Sequence, residues 1–155
     1  MSIEHDLQAE KVTSLDLSEF VTVETGTSIR ATVSKMRAKG CNCAFVAREG
    51  RLVGIFTDRD ILRSIVDRPE IWDHGIDVVM THDPHTISAH QTAGDALKLM
   101  KSHHFRNTPV IDVKGEIVGN LTHFAVIRYL AESFPEEVLN LPPEPDRFGE
   151  ERFGG

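Results

Sequence analysis

The stretch that decides the fold is GIFTDRD at residues 54–60, which runs from an apolar segment into the start of a predicted helix. Its outline returns 65 positions later as GNLTHFA at residues 119–125. In the first copy Thr57 is a good N-cap, and Asp60 three residues later completes the Thr-x-x-Asp pattern of a capping box. In the second copy Ala125 stands in place of the acid. The two copies therefore predict two similar helix starts, of which only the first carries a carboxylate.

The whole chain repeats around these two segments. Shifted by 64 residues, Met36 falls on Met100, and after one inserted residue the register becomes 65 and Arg63 falls on Arg128. Each copy reads as strand, helix, strand, strand, helix, with apolar residues at helical spacing and a glycine turn between its last two strands. The predicted opening strands are residues 21–23 in the first copy and residues 85–87 in the second. A single copy of about 60 residues is marginal as a domain. We therefore predict an α/β (α+β) fold in which two repeats stack with pseudo-two-fold symmetry.

Residues that interrupt helices and strands, such as proline, and clusters of apolar residues divide the chain into five predicted segments. They are an N-terminal extension (1–11), a first repeat (12–66), a connector (67–79), a second repeat (80–134) and a Pro-rich C-terminal tail (135–155). Apolar residues within the connector predict that it is packed against the fold. The tail holds four of the seven prolines, so we expect it to be either disordered or an extended arm on a partner surface.

Composition excludes several classes of protein. The 155 residues include 17 basic and 24 acidic side chains, a net charge of −7, which argues against nucleic acid as a partner. No apolar run approaches the roughly 18 residues that span a bilayer, so no membrane partner is expected. The start of the chain is polar and acidic, unlike a secretion signal, and we expect a cytoplasmic protein.

Cysteines and histidines raise the question of a metal site or a catalytic nucleophile. Cys41 and Cys43 are too close in sequence for an ordinary disulfide and are expected as buried structural thiols. His82 and His85 would point to opposite faces of a strand, and zinc needs about four ligands. Neither a nucleophile elbow nor a glycine-rich phosphate loop occurs. We therefore predict no metal, no cofactor and no catalytic residues, and hence no enzyme.

The Thr57–Asp60 pair has two interpretations. As a capping box it only stabilises the start of a helix. Alternatively, backbone amides at a helix start offer a site for phosphate, and a carboxylate accepts hydrogen bonds from both hydroxyls of a ribose. A side chain that caps a helix can also bind a ligand, so both interpretations remain open. Because Ala125 keeps no carboxylate in the second copy, the asymmetry favours one ribose site, at Asp60.

Three motifs resemble the CBS (cystathionine-beta-synthase) domain family. They are GIFTDRDIL at residues 54–62, FRNTPVID at residues 105–112, and the run DVVMT at 77–81 followed by DPHTIS at 83–88. The resemblance covers roughly residues 12–131 and is specific, because the spaced motifs recur in order. It implies a Bateman module, a non-catalytic regulatory or sensory unit. Such a unit binds an adenosine nucleotide (AMP, ADP or ATP) between its two repeats and signals the ligand state to a partner protein.

The resemblance also implies a set of nucleotide-binding residues. The family motif places Asp60 on the ribose and Thr57 near the phosphate, with the adenine between the first strand of the second repeat and the backbone around Ile55. The loop before Pro109 would supply cationic phosphate contacts through Arg106, with His104 nearby, although Asn107 stands where the family often has His. Arg59 could reach the phosphate or be a solvated helix residue. The implied site is Ile55, Thr57, Arg59, Asp60, His85, Thr86, Ile87, His104, Arg106 and Asn107. A second, weaker cleft would contain Thr22, Val23, Asn120 and Thr122.

Apolar residues on more than one face of the closing helices predict a homodimer, with Ile61, Leu62, Ile65 and Val66 as the example in the first repeat. Arg63 and Arg128 are expected as surface charges or dimer contacts. The alternative function is a nucleotide-free structural or interaction dimer that acts through its helix faces and its tail. Ala125 and Asn107, which depart from the family pattern, support that alternative.

Overall fold

The structure is a computed structural model that describes residues 3–135. The predicted tail therefore lies outside the described residues from residue 136 onward. The helices and strands, in chain order, are α1 (Ile3–Ala9), β1 (Val21–Glu24), α2 (Ile29–Lys39), β2 (Cys43–Arg48), β3 (Arg51–Thr57), α3 (Asp58–Asp60), β4 (Thr81–His82), β5 (Ile87–Ser88), α4 (Ala93–His103), β6 (Asn107–Ile111), β7 (Ile117–Thr122) and α5 (His123–Ser133).

The strands form two small sheets with the same internal order. In the first sheet β1 lies parallel to β2, which pairs antiparallel with β3, and β4 joins the far edge of β3. In the second sheet β5 lies parallel to β6, which pairs antiparallel with β7. The registers shift at matching places, after Val46 and after Val110. The predicted mixed fold of two strand-helix-strand-strand-helix repeats is confirmed.

The long helices begin with side-chain caps. The Ser28 hydroxyl accepts a hydrogen bond from the Ala31 amide at the start of α2, and the Thr92 hydroxyl accepts one from Asp95 at the start of α4. At the other end, α2 stops at Gly40, whose φ of 75° lies in the left-handed region that glycine adopts without strain. These local signals fix where each helix turns back toward its sheet.

Each repeat has its own apolar core, and the connector completes the first. Ile71 and Ile76 are buried with the core residues of β1–β3 and α2. The Ile29 amide donates to the His74 carbonyl (2.9 Å), and the Ile76 amide donates to the Thr27 carbonyl (2.7 Å). The prediction of a packed connector is confirmed.

The N-terminal segment completes the second core, which the sequence did not indicate. Leu7 and Val12 are buried among residues of α4, α5 and the second sheet. The Ala93 amide donates to the Glu10 carbonyl (2.7 Å) and the Val12 amide to the Gln91 carbonyl (3.0 Å), the same pattern that the connector makes 64 residues later. Residues 3–15 are therefore the structural counterpart of the connector and pack on the second repeat.

Two predicted elements differ in form. After α3 the chain continues as a π-helix, Ile61–Ile65, in place of the regular helix that α5 forms in the second repeat. This segment ends before Pro69, which disfavours helical geometry in the residue before it. The strand predicted at residues 85–87 is displaced to Ile87–Ser88, because Pro84 lacks an amide donor and Asp83 takes a positive φ of 47°. Within residues 3–135, no helix combines the length and apolarity needed to cross a bilayer.

Candidate functional site

A cavity of about 740 Å³ lies between the two repeats. It is lined by the ends of β3 and β7, the first turns of α3 and α5, the segment 81–85 and the loop 104–107. Residues of the N-terminal segment, including Asp16 and Glu19, complete the wall on the second-repeat side. Both halves of the repeated sequence thus face one shared space.

Crossed strand pairing brings the two repeats to this cavity. β4 follows the connector and pairs with β3, with Thr81 opposite Ile55 and His82 opposite Gly54. In the mirror position the Asn120 amide donates to the Leu17 carbonyl (2.9 Å), so that residue 17 lies beside β7. In each repeat, therefore, the strand that leads into the final helix lies beside a segment of chain that continues into the other repeat.

Asp60 stands on the cavity wall and is half-buried. Its Oδ2 accepts a hydrogen bond from the Thr57 amide (2.9 Å), which is the reach-back half of a capping box. Burial raises the pKa of Asp60, although the Thr57 hydrogen bonds and the charges of Arg63 and Arg59 oppose the shift. A carboxylate offers about four lone-pair positions, so the bonds to Thr57 leave capacity for further donors. The cap predicted from the sequence exists, and it borders open space.

Two backbone amides at the start of α3 already have acceptors, which weakens the phosphate interpretation of this helix start. The Thr57 amide is used by Asp60, and the Asp58 amide donates to the Asn42 carbonyl at 3.1 Å. α3 also has only three residues before the π-helix begins. These two amides are therefore already satisfied, and we expect a phosphate in this cavity to depend mainly on cationic side chains.

The second-repeat half of the cavity lacks the carboxylate. The Thr122 hydroxyl caps α5 by accepting from the Ala125 amide (3.1 Å), and the His123 amide donates to the Arg106 carbonyl (3.1 Å). Arg128 forms an ion pair with Asp16 at 3.4 Å. The helix start in this half is thus capped like that of α3. The first turn of α5, however, has no carboxylate that could accept hydrogen bonds from the two hydroxyls of a ribose.

Most of the predicted site residues do meet at the cavity. Those that line it are Ile55, Thr57, Arg59, Asp60, His85, His104, Arg106, Asn107 and, from the predicted weaker cleft, Thr122. They come from four separate parts of the chain, and only the folded structure brings them together.

Five predicted residues do not line the cavity. Ile87 and Val23 are buried in the two apolar cores. Asn120 is fully buried and donates from Nδ2 to the Glu19 carbonyl and to Asn107 Oδ1, both at 2.9 Å. Thr86 lies outside the wall, and the Thr22 carbonyl accepts from Lys35 Nζ. These residues lie within strands or just before one. Side chains along a strand alternate between the two faces of its sheet, whereas the cavity is formed at the ends of the strands.

Sequence reasoning missed several residues of the wall. Arg63 and Arg128, expected as surface or dimer charges, both line the cavity. The repeat register already pairs these two arginines, and it likewise pairs Asn42 with Arg106, so the register was a usable signal. His82 had no such signal, because its position follows from the pairing of β4 with β3.

No group of three or more His, Cys, Asp or Glu side chains in residues 3–135 is arranged to hold a metal ion. Both cysteines are free and buried, as predicted. Burial, with the nearby Cys41, Asp58 and Asp60, raises the pKa of the Cys43 thiol well above its usual value. The thiol is therefore protonated near neutral pH, which suits a structural role.

Solved structures share this fold at low sequence identity. CBSX2 in complex with AMP matches with a TM-score of 0.63 and 22% identity, over 83% of this chain and 95% of that one. The CBS domain pair of protein MJ0100, in complex with 5′-methylthioadenosine and S-adenosyl-L-methionine, matches with a TM-score of 0.68 and 22% identity, over 77% and 98%. Similarity at this level establishes the architecture.

Curated relatives and the family model show which family the sequence belongs to. Arabinose 5-phosphate isomerase KdsD of Pseudomonas aeruginosa is 34% identical over 104 residues, which is 66% of this chain and 32% of that enzyme. The chain spans between 29% and 41% of the length of four such relatives. The family model of the CBS domain matches residues 12–67 and again residues 76–132. The chain belongs to the CBS domain family and is a tandem CBS pair.

Proposed function

We propose that this CBS pair is a regulatory module that binds an adenosine nucleotide, AMP, ADP or ATP, in the cavity between its repeats. The observation that carries the proposal is Asp60: a half-buried carboxylate on the wall of a cavity of about 740 Å³. The ligand state would be signalled to a partner protein. The module itself would be non-catalytic, need no further cofactor, work as a homodimer in the cytoplasm and contact neither nucleic acid nor membrane.

The chemistry of Asp60 fits a ribose. Burial penalises its charge, as the raised pKa records, and two hydroxyl donors would offset that penalty. The Thr57 amide holds the carboxylate in place at 2.9 Å, so its remaining lone pairs are already oriented when a ligand arrives. The helix that begins at Thr122 has no equivalent, and we expect the second cleft to be empty or weaker.

In this proposal, arginine side chains on the cavity wall bind the phosphates. Arg59 and Arg63 follow Asp60 on the first-repeat side, and Arg106 stands in the loop before β6. Guanidinium groups bind phosphate oxygens through paired, charge-assisted hydrogen bonds. A nucleoside placed at Asp60 would thus have its cationic contacts on the same wall.

Structural neighbours support the adenosine part of the proposal. AMP, 5′-methylthioadenosine and S-adenosylmethionine are the ligands of the two neighbours compared above. These ligands share an adenosine and differ in what is attached to its 5′ position. A carboxylate that binds the two ribose hydroxyls would serve all of them, so Asp60 is the residue on which the proposal depends.

Asp60→Ala tests the site against a matched control, Asp95→Ala. Asp95 caps α4 through the same Thr-x-x-Asp geometry, with the Thr92 amide 3.2 Å from Asp95 Oδ2, but it does not line the cavity. Both variants lose a cap, whereas only Asp60→Ala loses charged hydrogen bonds to a ligand, worth about 1.5 to 3 kcal/mol each. Calorimetric titration with adenosine, AMP, ADP and ATP should show at least about a tenfold loss of affinity for Asp60→Ala alone.

Equal binding by the Asp60→Ala and wild-type proteins would show that Asp60 does not bind the ligand. A wild-type protein that binds none of the four compounds would refute the proposed function itself. In that case the nucleotide-free interaction dimer gains support, since Asp60 already has a partner in its own main chain. That alternative predicts loss of assembly when residues 146–155 are deleted, which size-exclusion chromatography with light scattering would detect.

A further inference from the structure

The second-repeat half of the cavity carries an acid that comes from the N-terminal segment. Asp16, between α1 and β1, lines the wall together with Arg128 of α5. Asp16 Oδ2 lies 3.4 Å from Arg128 Nη1, which is close enough for an ion pair. The ribose site proposed at Asp60 uses neither residue, so the pair is a separate feature of the same cavity.

Asp16 is held in place by its surroundings, unlike a side chain on a loose surface loop. Its Oδ1 accepts hydrogen bonds from the Ser18 amide (3.0 Å) and from the Ser18 hydroxyl (2.6 Å). On one side of it Leu15 is buried in the second core, and on the other the Leu17 carbonyl accepts a hydrogen bond from the Asn120 amide at 2.9 Å. Little conformational entropy is therefore lost when the remaining carboxylate oxygen contacts a cation.

The Asp16 carboxyl group is ionised at neutral pH. The two hydrogen bonds from Ser18 lower its pKa, and the charges of Arg128 and Lys39 lower it further, whereas burial acts in the opposite direction. A negative charge thus stands beside Arg128, on the wall where an anionic ligand would need that guanidinium group.

The two halves of the cavity bring acids to their arginines in different ways. Arg63 and Arg128 are counterparts in the repeat register, and the charge of Arg63 acts on Asp60, within the same closing segment. Arg128 is instead paired with Asp16, from a segment that crosses from the other repeat. In the repeat register Asp16 falls on Met80, which is apolar and buried. At this position, therefore, the crossing segment brings an acid to the second half and not to the first.

We propose that Asp16 is an internal counter-ion that pairs with Arg128 and so disfavours phosphate groups in the second-repeat half of the cavity. The inference rests on the proposed function and names the residue that makes this half the weaker one for a nucleotide. A phosphate oxygen and the Asp16 carboxylate compete for the same guanidinium group, since both accept charge-assisted hydrogen bonds from it. The carboxylate also repels an arriving anion.

The expected effect is modest because the ion pair is partly exposed. The side chains of Arg128 and Asp16 keep 58% and 42% of their surface accessible to solvent. Exposed ion pairs contribute little free energy and are screened by salt. We therefore expect removal of the Asp16 charge to strengthen anion binding in this half about two- to fivefold, with a smaller gain at high salt concentration.

Asp16→Asn tests the counter-ion while it preserves the local structure. Asparagine keeps an oxygen for the Ser18 donors but places an amide group where Arg128 had an acceptor. Asp73→Asn is the matched control, because Asp73 forms a surface ion pair with Arg30 at 3.0 Å and lies outside the cavity wall. Calorimetric titration with inorganic triphosphate should show a gain of about two- to fivefold for Asp16→Asn and none for Asp73→Asn.

Arg128→Gln separates release of the arginine from a general loss of negative charge. In the wild type Arg128 is already paired, so this substitution alone should change triphosphate affinity by less than about twofold. In the Asp16→Asn protein the same substitution should remove the whole gain, which is the non-additivity expected of two residues in contact. Urea unfolding of each protein verifies that it is folded under the conditions of the titration.

The outcomes separate this inference from the proposed function. Equal triphosphate affinity of the wild type and Asp16→Asn overturns the counter-ion, as does the absence of triphosphate binding by both. A gain that Asp73→Asn reproduces, or that Arg128→Gln leaves in place, overturns it as well. In each of these cases the proposed function stands if adenosine and AMP bind in a manner that depends on Asp60.

The converse result is equally distinct. A gain in triphosphate affinity that depends on Arg128, in a chain that binds neither adenosine nor AMP, ADP or ATP, supports the counter-ion and refutes the proposed function.

Discussion

At the residue scale, Gly54 and Gly119 show how closely the two repeats approach each other. They occupy equivalent places on β3 and β7, beside the chain that crosses from the other repeat. A Cβ at Gly54 would collide with the side chain of Met80, whereas one at Gly119 would collide with Leu17, whose carbonyl oxygen would lie at 2.8 Å. The same substitution therefore meets a flexible group at one site and backbone at the other.

Gly119→Ala should destabilise the protein more than Gly54→Ala. The Leu17 backbone cannot move without losing its hydrogen bond from the Asn120 amide, so overpacking there should cost about 1 to 3 kcal/mol. A methionine side chain rearranges more easily, and the loss at Gly54 should be smaller. Urea unfolding of both variants and of the wild type measures the difference, and equal losses would contradict the close backbone approach.

Asp60 and Ala125 are the other informative pair at this scale. The two helix starts have the same cap residue, and each follows a strand that lies beside a crossing segment, but only the first has an acid at the third helical position on the cavity wall. A capping requirement alone would not explain this difference, because Thr122 caps α5 without an acid. The difference is what makes one half of the cavity the better candidate for a ribose.

At the element scale, the N-terminal helix belongs to the second repeat. α1 packs on α4, and its Leu7 is buried to 3% exposure. The connector does the same for the first repeat through Ile71, which is 2% exposed. Each core therefore depends on a segment that lies outside the strand-helix-strand-strand-helix unit.

Leu7→Ala should destabilise the protein by about 2 to 5 kcal/mol, as expected for a large-to-small change in a core. Val113→Ala is the control, since Val113 is 81% exposed and its truncation should stay within about 0.5 kcal/mol. Chemical denaturation measures both changes. A near-neutral Leu7→Ala would mean that α1 contributes nothing to the second core.

At the scale of the whole molecule, apolar side chains remain uncovered on the closing helices of both repeats. Leu62 is 72% exposed, and its repeat counterpart Ile127 is 53% exposed. Val66 and Phe124 are also exposed on these segments. Contiguous exposed apolar surface is typical of protein–protein contacts, and the matching positions fit the homodimer proposed above.

Leu62→Glu and Ile127→Glu should each convert a dimer into a monomer, because a buried, unpaired carboxylate is costly at an interface. Val113→Glu is the control, as it adds the same charge at an exposed apolar position on a hairpin. Sedimentation velocity at matched concentrations measures the mass. A wild-type monomer, or glutamate variants that remain dimeric, would contradict an interface on this surface.

Much of the architecture could be predicted because the relevant signals are local. Alternation, helical spacing, caps and glycine turns act over a few residues, and a twofold recurrence of those signals indicates two equal repeats. The Thr57–Asp60 pair and the missing acid at Ala125 were visible in the same way. The exact strand bounds were less accessible, as the shift from residues 85–87 to Ile87–Ser88 shows.

Sequence by itself thus determined the repeated unit, the family resemblance and the single acidic helix start. Tertiary structure alone decided that β4 joins β3, that residues 3–15 complete the opposite core, and that the Thr57 and Asp58 amides already have acceptors. It also decided that His82, His85 and His104 share a wall with Asp60. The physical reason is that these contacts join residues far apart in the chain, and the choice among possible long-range pairings depends on packing that no local pattern records.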